Sequence, residues 1–341
     1  MSKTVNIGII GAGRIGKVHA ANIVSYVPEA RLKTVADPVM PQDTRTWLEG
    51  LGVPVIGTDP AVILNDAEID AVLICSSTDT HAEFVIKAAQ AGKHCFCEKP
   101  VDLTVARVNA AIKAAADAGV KFQVGFNRRF DHNFRKVRDT VLAGTVGDPH
   151  IIKITSRDPA PPPAEYVAVS GGIFLDMAIH DFDMARFQAD SEVVEVFATG
   201  ACLVDPAIGK AGDIDTAIVT LKFANGALGV IDNSRKAAYG YDQRVEVFGS
   251  KGAAIAENDL PTTVRIETEA GVASEKPLYF FLERYREAYI AEIKSFIDAI
   301  RTDAPVPVGG KDGLEGLIVA LAAKKSLAEG RPVRISEIPR T

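Results

Sequence analysis

The chain has 341 residues, of which 47% are hydrophobic and 24% charged, and a net charge of -6. That length suggests two domains at roughly 150 residues each, and the ordinary composition excludes a disordered chain. The mild acidity offers no basic face to nucleic acid and nothing to draw the chain to anionic lipid.

No apolar run reaches the ~18 residues that a membrane helix needs. The start, Met1-Ser2-Lys3-Thr4, lacks the charged-apolar-small pattern of a signal peptide. The expectation is a cytoplasmic protein. Val5–Ile10 reads as a short apolar strand, and the stretch from Arg14 to Val27 as a helix. Ala30–Ala36 is again strand-like. Ala71 to Cys75 is an apolar run of the kind buried on both faces of a parallel sheet. A helix from Thr80 to Ala91, a strand from His94 to Cys97, a helix from Asp102 to Ala118 and a strand from Lys121 to Gly125 follow. Strand-helix alternation of this kind predicts a doubly wound parallel sheet with right-handed crossovers.

Beyond residue 126 the pattern changes. After a helix at Asp131 to Ala143, strands follow one another: His150–Ser156, Val193–Ala201, Ile214–Phe223, Leu228–Asn233, Arg244–Gly249 and Val264–Glu269. Turn signals such as Ala224-Asn225-Gly226 separate them, which predicts an open, mostly antiparallel sheet. One helix, Phe174 to Gln188, interrupts the strands. Two more, Leu282 to Arg301 and Lys311 to Glu329, close the chain, the last expected to pack back on the first domain. The boundaries read as 1–125 and 126–341, an α/β domain followed by an α+β domain.

Four cysteines, Cys75, Cys95, Cys97 and Cys202, are too few for a disulfide framework. Cys95 and Cys97 share one strand face. Without a second Cys/His cluster they read as buried thiols rather than a metal pair.

Gly11-Ala12-Gly13-Arg14-Ile15-Gly16 fits G-x-G-x-x-G directly after the first strand and at the head of the first helix. Gly11 permits the tight turn, Gly13 lets backbone approach a pyrophosphate, and Gly16 allows close helix–strand packing. The helix N-terminus offers N–H groups to phosphate. Gly11, Ala12, Gly13, Arg14 and Ile15 are therefore candidate cofactor contacts. Asp37 ends the second strand about 20 residues further on, where a carboxylate accepts from ribose hydroxyls. The same carboxylate repels a 2′-phosphate, so NAD is expected rather than NADP. Ser77 and Thr78, in the loop after Cys75, are further cofactor candidates. His81 reads equally as a residue of the helix start.

Glu98-Lys99-Pro100 follows the strand His94–Cys97, at the end of the sheet where ligands bind in doubly wound folds. The proline disfavours helix at Lys99. On the tripeptide alone, a solvated lysine reads as well. Asp176 and His180 are four apart on a predicted helix and so share a face. A carboxylate and an imidazole together can accept and relay a proton. From spacing alone, a helix-start aspartate with a packed histidine reads as well. Asp183 lies on the same face.

Together, Gly11 to Gly16, Glu98-Lys99-Pro100 and Asp176 to His180 resemble the glucose-fructose oxidoreductase/inositol dehydrogenase/rhizopine-catabolism (Gfo/Idh/MocA) family along essentially the whole chain. The stretches Ser156 to Pro162, Gly171 to Arg186 and Phe281 to Tyr285 look most like its bacterial inositol 2-dehydrogenases. The resemblance implies a Rossmann domain, a second domain on a large open sheet, and tetramers that pair those sheets. It implies NAD as cofactor, a cyclic polyol as substrate and no metal. Lys99, Asp176 and His180 match the catalytic positions: His180 to take the proton, Lys99 to hydrogen-bond the reacting oxygen, and Asp176 to orient substrate and base. Which of Lys99 and His180 is the formal base stays open, and Glu98 and Lys99 also border the cofactor site. Arg129 and Tyr239 are further substrate candidates that read equally as surface or core residues. Arg157 and Asp158 are weaker candidates of the same kind.

Other dehydrogenase classes fit less well. No tyrosine is followed by lysine four residues on, and the six histidines do not cluster as zinc ligands would. A regulatory protein that only senses a nucleotide needs the glycine turn, but not Lys99, Asp176 and His180 together.

Overall fold

The computed structural model describes residues 4–341. Met1 to Lys3, part of the segment read for a targeting signal, lie outside the described residues. Among those described, no helix is long and apolar enough to cross a membrane.

The chain forms two compact units. One comprises the described residues up to 130, with 287–317 and 340–341, and the other 131–286 and 318–339. By sequence the second domain runs from 126 to 341, with the closing helix expected to pack back on the first. Instead the helix Arg286–Thr302 belongs almost wholly with the first unit, and the closing helix Gly310–Glu329 divides between the two. Phe296, Ile297 and Ile293 explain the first assignment, since they are buried in one cluster with Ile7, Ile9, Val35, Leu73 and Phe96.

The first unit is built on six parallel strands: β1 Val5–Ile10, β2 Ala30–Ala36, β3 Val55–Gly57, β4 Ala71–Ile74, β5 His94–Glu98 and β6 Phe122–Gly125. Their order is β3-β2-β1-β4-β5-β6. The order reverses between β1 and β4, so the loops after these two strands flank the crevice where such sheets bind ligands. Every residue of β4 is buried, as its continuous apolar run requires. The sequence reading did not mark β3. It is three residues long and pairs with β2 alone, so it carries no period.

The second unit holds β7 Pro149–Arg157, β8 Val193–Ala201, β9 Thr216–Phe223, β10 Leu228–Ser234, β11 Asp242–Gly249 and β12 Gly252–Ala256. A hairpin, β13 Arg265–Thr268 with β14 Gly271–Ser274, stands apart, and β15 Val333–Arg334 adds to β8. The large sheet runs β12-β11-β7-β10-β9-β8-β15. It is antiparallel except that β7 and β10 are parallel neighbours. This pair aligns the two strand ends that matter below: Arg157 lies opposite Ser234, and Asp242 at the start of β11 lies opposite Arg157.

The helix expected at Phe174 to Gln188 is two helices, Ile173–Asp176 and Ile179–Ala189. Ala178 N–H reaches back five residues to the Ile173 carbonyl at 2.8 Å, and His180 N–H reaches only three, to Met177 at 3.3 Å. Asp176 therefore ends one helix and His180 stands in the first turn of the next.

Candidate active site

In the first unit the glycine turn is tight. Gly11 has φ +98°. A Cβ there would lie 2.5 Å from the Cys75 carbonyl, and one at Gly16 would lie 2.0 Å from the Gly11 oxygen. A Cβ at Gly13 would meet nothing within 4 Å. Gly13 is the residue before the helix Arg14–Tyr26, and no side chain caps that helix. Its first N–H groups and dipole end are thus left for an anion. Arg14 is exposed and Ile15 half-buried.

Asp37 stands beside this turn. Its carboxylate accepts from Ala12 N–H at 2.7 Å and from Val39 N–H at 2.8 Å. The side chain is half-buried, and each oxygen keeps a further lone pair for a ribose hydroxyl. We expect NAD to be preferred over NADP by at least ~10-fold in kcat/KM, or about 1.4 kcal/mol. Asp37→Ser should shrink that gap, as steady-state rates with both cofactors would show. Equal use of NADP by the unaltered protein would contradict the assignment.

Ser77 precedes the helix Thr78–Gln90 and is exposed, and Thr78 is half-buried in its first turn. His81, an open question in the sequence, is 2% exposed. Its ring nitrogens lie 2.8 Å from the Pro100 carbonyl oxygen and 3.0 Å from that of Ser76. His81 thereby ties the loop after β4 to the Lys99-Pro100 turn and holds the backbone that presents Lys99. Lys99 itself is half-buried.

Glu98, placed at the cofactor by sequence, turns its carboxylate inward. Oε1 is 2.7 Å from His19 Nε2, and both residues are buried. Gly125 makes the room, since a Cβ there would meet a Glu98 oxygen at 3.0 Å. A second carboxyl, Glu292, joins these two in a group whose polar atoms lie within 4.8 Å of one another. Glu292 is fully buried, and neither oxygen has a hydrogen-bond partner among the described residues. Burial first, and the charge of Glu98 second, push its carboxyl well above the usual value.

A folded-state value raised in this way gives stability that is present below about pH 4.5 and lost as pH rises through the raised value. We therefore expect Glu292→Gln to flatten the fall of thermal stability from pH 5 to 9. Below the raised value the difference in slope should approach one proton, about 1.4 kcal/mol per pH unit. Parallel melting curves for variant and parent across that range would contradict the assignment.

Arg129 follows β6 in the short turn Asn127–Phe130 and is buried. Its Nη2 donates to Asp312 Oδ1 at 2.7 Å. The guanidinium suspected of reaching substrate is thus held by an ion pair within the first unit. The cysteines are free. Cys75, Cys95 and Cys97 are buried, and Cys202 is exposed. Burial pushes the Cys95 thiol up to about 12.

In the second unit the candidates gather where β7 and β10 end and β11 begins. Gly171 and Gly172, with φ of +87° and +84°, swing the chain into the helix Ile173–Asp176. Asp213 receives that helix by accepting from Ile173 N–H at 2.9 Å. Asp176, at its end, is half-buried, as is His180. Asp183 is buried and lies 3.6 Å from Arg186 Nη1.

Arg157 forms a bidentate pair with Asp232 and donates to the Tyr239 hydroxyl at 3.0 Å. The Asp232 pairing holds its guanidinium well above the usual range. Tyr239 is 41% exposed and gives its one hydrogen to Asp242. Toward a polyol it therefore offers an acceptor. Two residues without any sequence signal, Tyr166 and Arg235, bind the Asp176 carboxylate from opposite oxygens.

Residues 5–126 match the family described as oxidoreductases with an NAD-binding Rossmann fold, and residues 134–255 match the GFO/IDH/MocA C-terminal domain. The chain belongs to the GFO/IDH/MocA family. It is 53% identical over 334 residues to a myo-inositol 2-dehydrogenase of Thermotoga maritima, covering 98% of this chain and 99% of that one. It is 50% identical to an inositol 2-dehydrogenase of Rhizobium meliloti, covering 98% and 100%. Among solved structures, scyllo-inositol dehydrogenase from Lactobacillus casei with bound NAD(H) and scyllo-inositol superposes with a TM-score of 0.91. It is 33% identical and covers 98% of this chain and 100% of that one.

This GFO/IDH/MocA member is an NAD-dependent dehydrogenase. Its uncapped helix start, the open space at Gly13 and the Asp37 carboxylate fit the dinucleotide.

Proposed function

We propose that the enzyme oxidises myo-inositol at C2, its axial hydroxyl, to the 2-keto inosose. The observation that carries this reading is the full-length likeness, at 50% identity or more, to one enzyme named myo-inositol 2-dehydrogenase and another named inositol 2-dehydrogenase. The polar groups at the ends of β7 and β10 support it. A cyclic polyol presents hydroxyls around its whole rim, and a site built to pair them discriminates strongly against an analogue with one missing or inverted.

When bound, NAD supplies the hydride acceptor at the nicotinamide. The chain's own residues handle the proton and the geometry. His180 takes the hydroxyl proton, Lys99 donates a hydrogen bond to the oxygen as negative charge develops there, and Asp176 orients substrate and base. Arg129 and Tyr239 are further groups for the remaining hydroxyls in this reading. Oxidation of scyllo-inositol is a second reading, favoured by the Lactobacillus casei structure at lower identity.

We also propose a homotetramer paired through the large sheet. Ile151, Leu228 and Phe248 lie directly opposite one another on three adjacent strands and are all exposed, an apolar row that a sheet normally covers.

Product identity tests the proposed chemistry. The protein is incubated with NAD and myo-inositol, and the ketone is reduced with borohydride. Oxidation at C2 should return only myo- and scyllo-inositol. Recovery of chiro-inositol would place the reaction at another carbon.

A further inference from the structure

Both oxygens of the Asp176 carboxylate accept from side chains in other parts of the second unit, and each keeps a lone pair for substrate. Tyr166, in the helix Ala164–Ser170, donates its hydroxyl to Oδ1 at 2.9 Å. Arg235, just beyond β10, donates Nη2 to Oδ2 at 2.9 Å. The other arm of the same guanidinium, Nη1, donates to Asp158 Oδ2 at 3.2 Å.

Arg235 is 4% exposed. Its backbone is pinned as well. Its N–H donates to the Asp215 carbonyl at 2.8 Å, and Asp158 N–H donates to the Ser234 carbonyl at 2.9 Å. Burial works against the guanidinium's charge, yet Asp176 and Asp158 outweigh it and hold the group above its ordinary range. A planar fork suits this task, because it spans two carboxylates in a fixed geometry that a single ammonium cannot reproduce.

We propose that Arg235 and Tyr166 are positioning residues for the reaction: between them they fix the rotamer of Asp176, with Asp158 completing the clamp on Arg235. This rests on the reading of Asp176 as a residue that touches substrate. Tyr166 is 48% exposed, so it forms the solvent side of the clamp, and Arg235 the buried side. Asp158, beyond β7, meets Asp176 only through Arg235, and Asp213 accepts from Ile173 N–H at the start of the helix that Asp176 ends.

A double-mutant cycle tests the clamp. Tyr166→Phe removes one hydroxyl at a half-exposed site and should leave folding and NAD affinity unchanged. It should lower kcat/KM for the best polyol by about 5- to 10-fold, the net worth of one hydrogen bond at a half-exposed site. On an Asp176→Ala background the same change should cost less than 2-fold, because the partner is already gone. Arg235→Lys should lower kcat/KM by about 10- to 100-fold, with kcat falling as well as KM rising. A merely structural residue would lower thermal stability and leave the rate per folded molecule intact.

The proposal is overturned if Tyr166→Phe costs the same factor on both backgrounds, or if both single variants stay within 2-fold of the parent. Crystal structures of Tyr166→Phe and Arg235→Lys supply a readout that does not depend on substrate. The Asp176 carboxylate should rotate from its present position, and an unmoved carboxylate overturns the clamp. If the parent oxidises no polyol, the functional reading fails and these two structures alone decide the clamp.

Discussion

His180→Ala should lower kcat by roughly 10²- to 10⁴-fold, the usual worth of a positioned general base. The imidazole stands in the first turn of the helix Ile179–Ala189, half-buried. In the proposed mechanism its loss removes the group that takes the hydroxyl proton while the hydride leaves carbon. The glycine turn and Asp37 belong to the first unit and are untouched, so the Kd for NAD should stay within about 2-fold of the parent. Stopped-flow or steady-state NADH absorbance, with NAD affinity from fluorescence titration, reads both quantities. Near-full activity of His180→Ala at neutral pH would make the two-helix segment structural and remove the proton-transfer role.

Lys99→Met should lose roughly 10²- to 10³-fold in kcat on every polyol the enzyme accepts, the range seen when one donor to a developing oxyanion is removed. Methionine keeps the length and apolar stem of lysine, so packing beside the buried Pro100 changes little. In the proposed mechanism the charge beside the reacting oxygen is then lost, whatever ring carries that oxygen. Tyr239→Phe should behave differently. Its hydroxyl is an acceptor at the rim, so its loss should change the order of preference among polyols more than the rate on the best one. A Lys99→Met variant impaired on one polyol and normal on another would place Lys99 at the rim and not at the reacting hydroxyl.

The parts of this enzyme that were legible in its sequence are those carried by local pattern. The glycine turn, the buried run Ala71–Ile74 and the strand–helix alternation identify a doubly wound sheet, because each is a period or a backbone requirement visible within a few residues. Asp37 is legible for the same reason, through its distance from the turn.

The second unit is only partly legible. Its long strands show, but the parallel pairing of β7 with β10 does not, since about 70 residues separate the two strands and no local signal sets their direction. The break after Asp176 is invisible because Met177 and Ala178 carry neither glycine nor proline. The two glycines that set the entry angle lie before the helix, at Gly171 and Gly172.

Long-range polar partners were the least legible. Arg235 looks like one more cation in Asn233-Ser234-Arg235-Lys236, and only the fold brings it to Asp176. Glu98 sits in a motif that suggests a cofactor contact, yet its carboxylate is taken by His19, 79 residues away. Arg129 is held by Asp312, 183 residues away. No spacing rule reaches across such distances. The same three examples show that a site residue's type can be read from sequence while its task is set by the partner that the fold supplies.

The site is proposed to fit the axial hydroxyl of myo-inositol. Initial rates of NADH formation with myo-inositol, scyllo-inositol, D-chiro-inositol and D-glucose, each at the same concentration, test it most directly. Myo-inositol should be fastest, and scyllo-inositol, which has no axial hydroxyl, a much poorer substrate. A clear win for scyllo-inositol or D-glucose would leave an NAD-dependent dehydrogenase with a different substrate and contradict the claim.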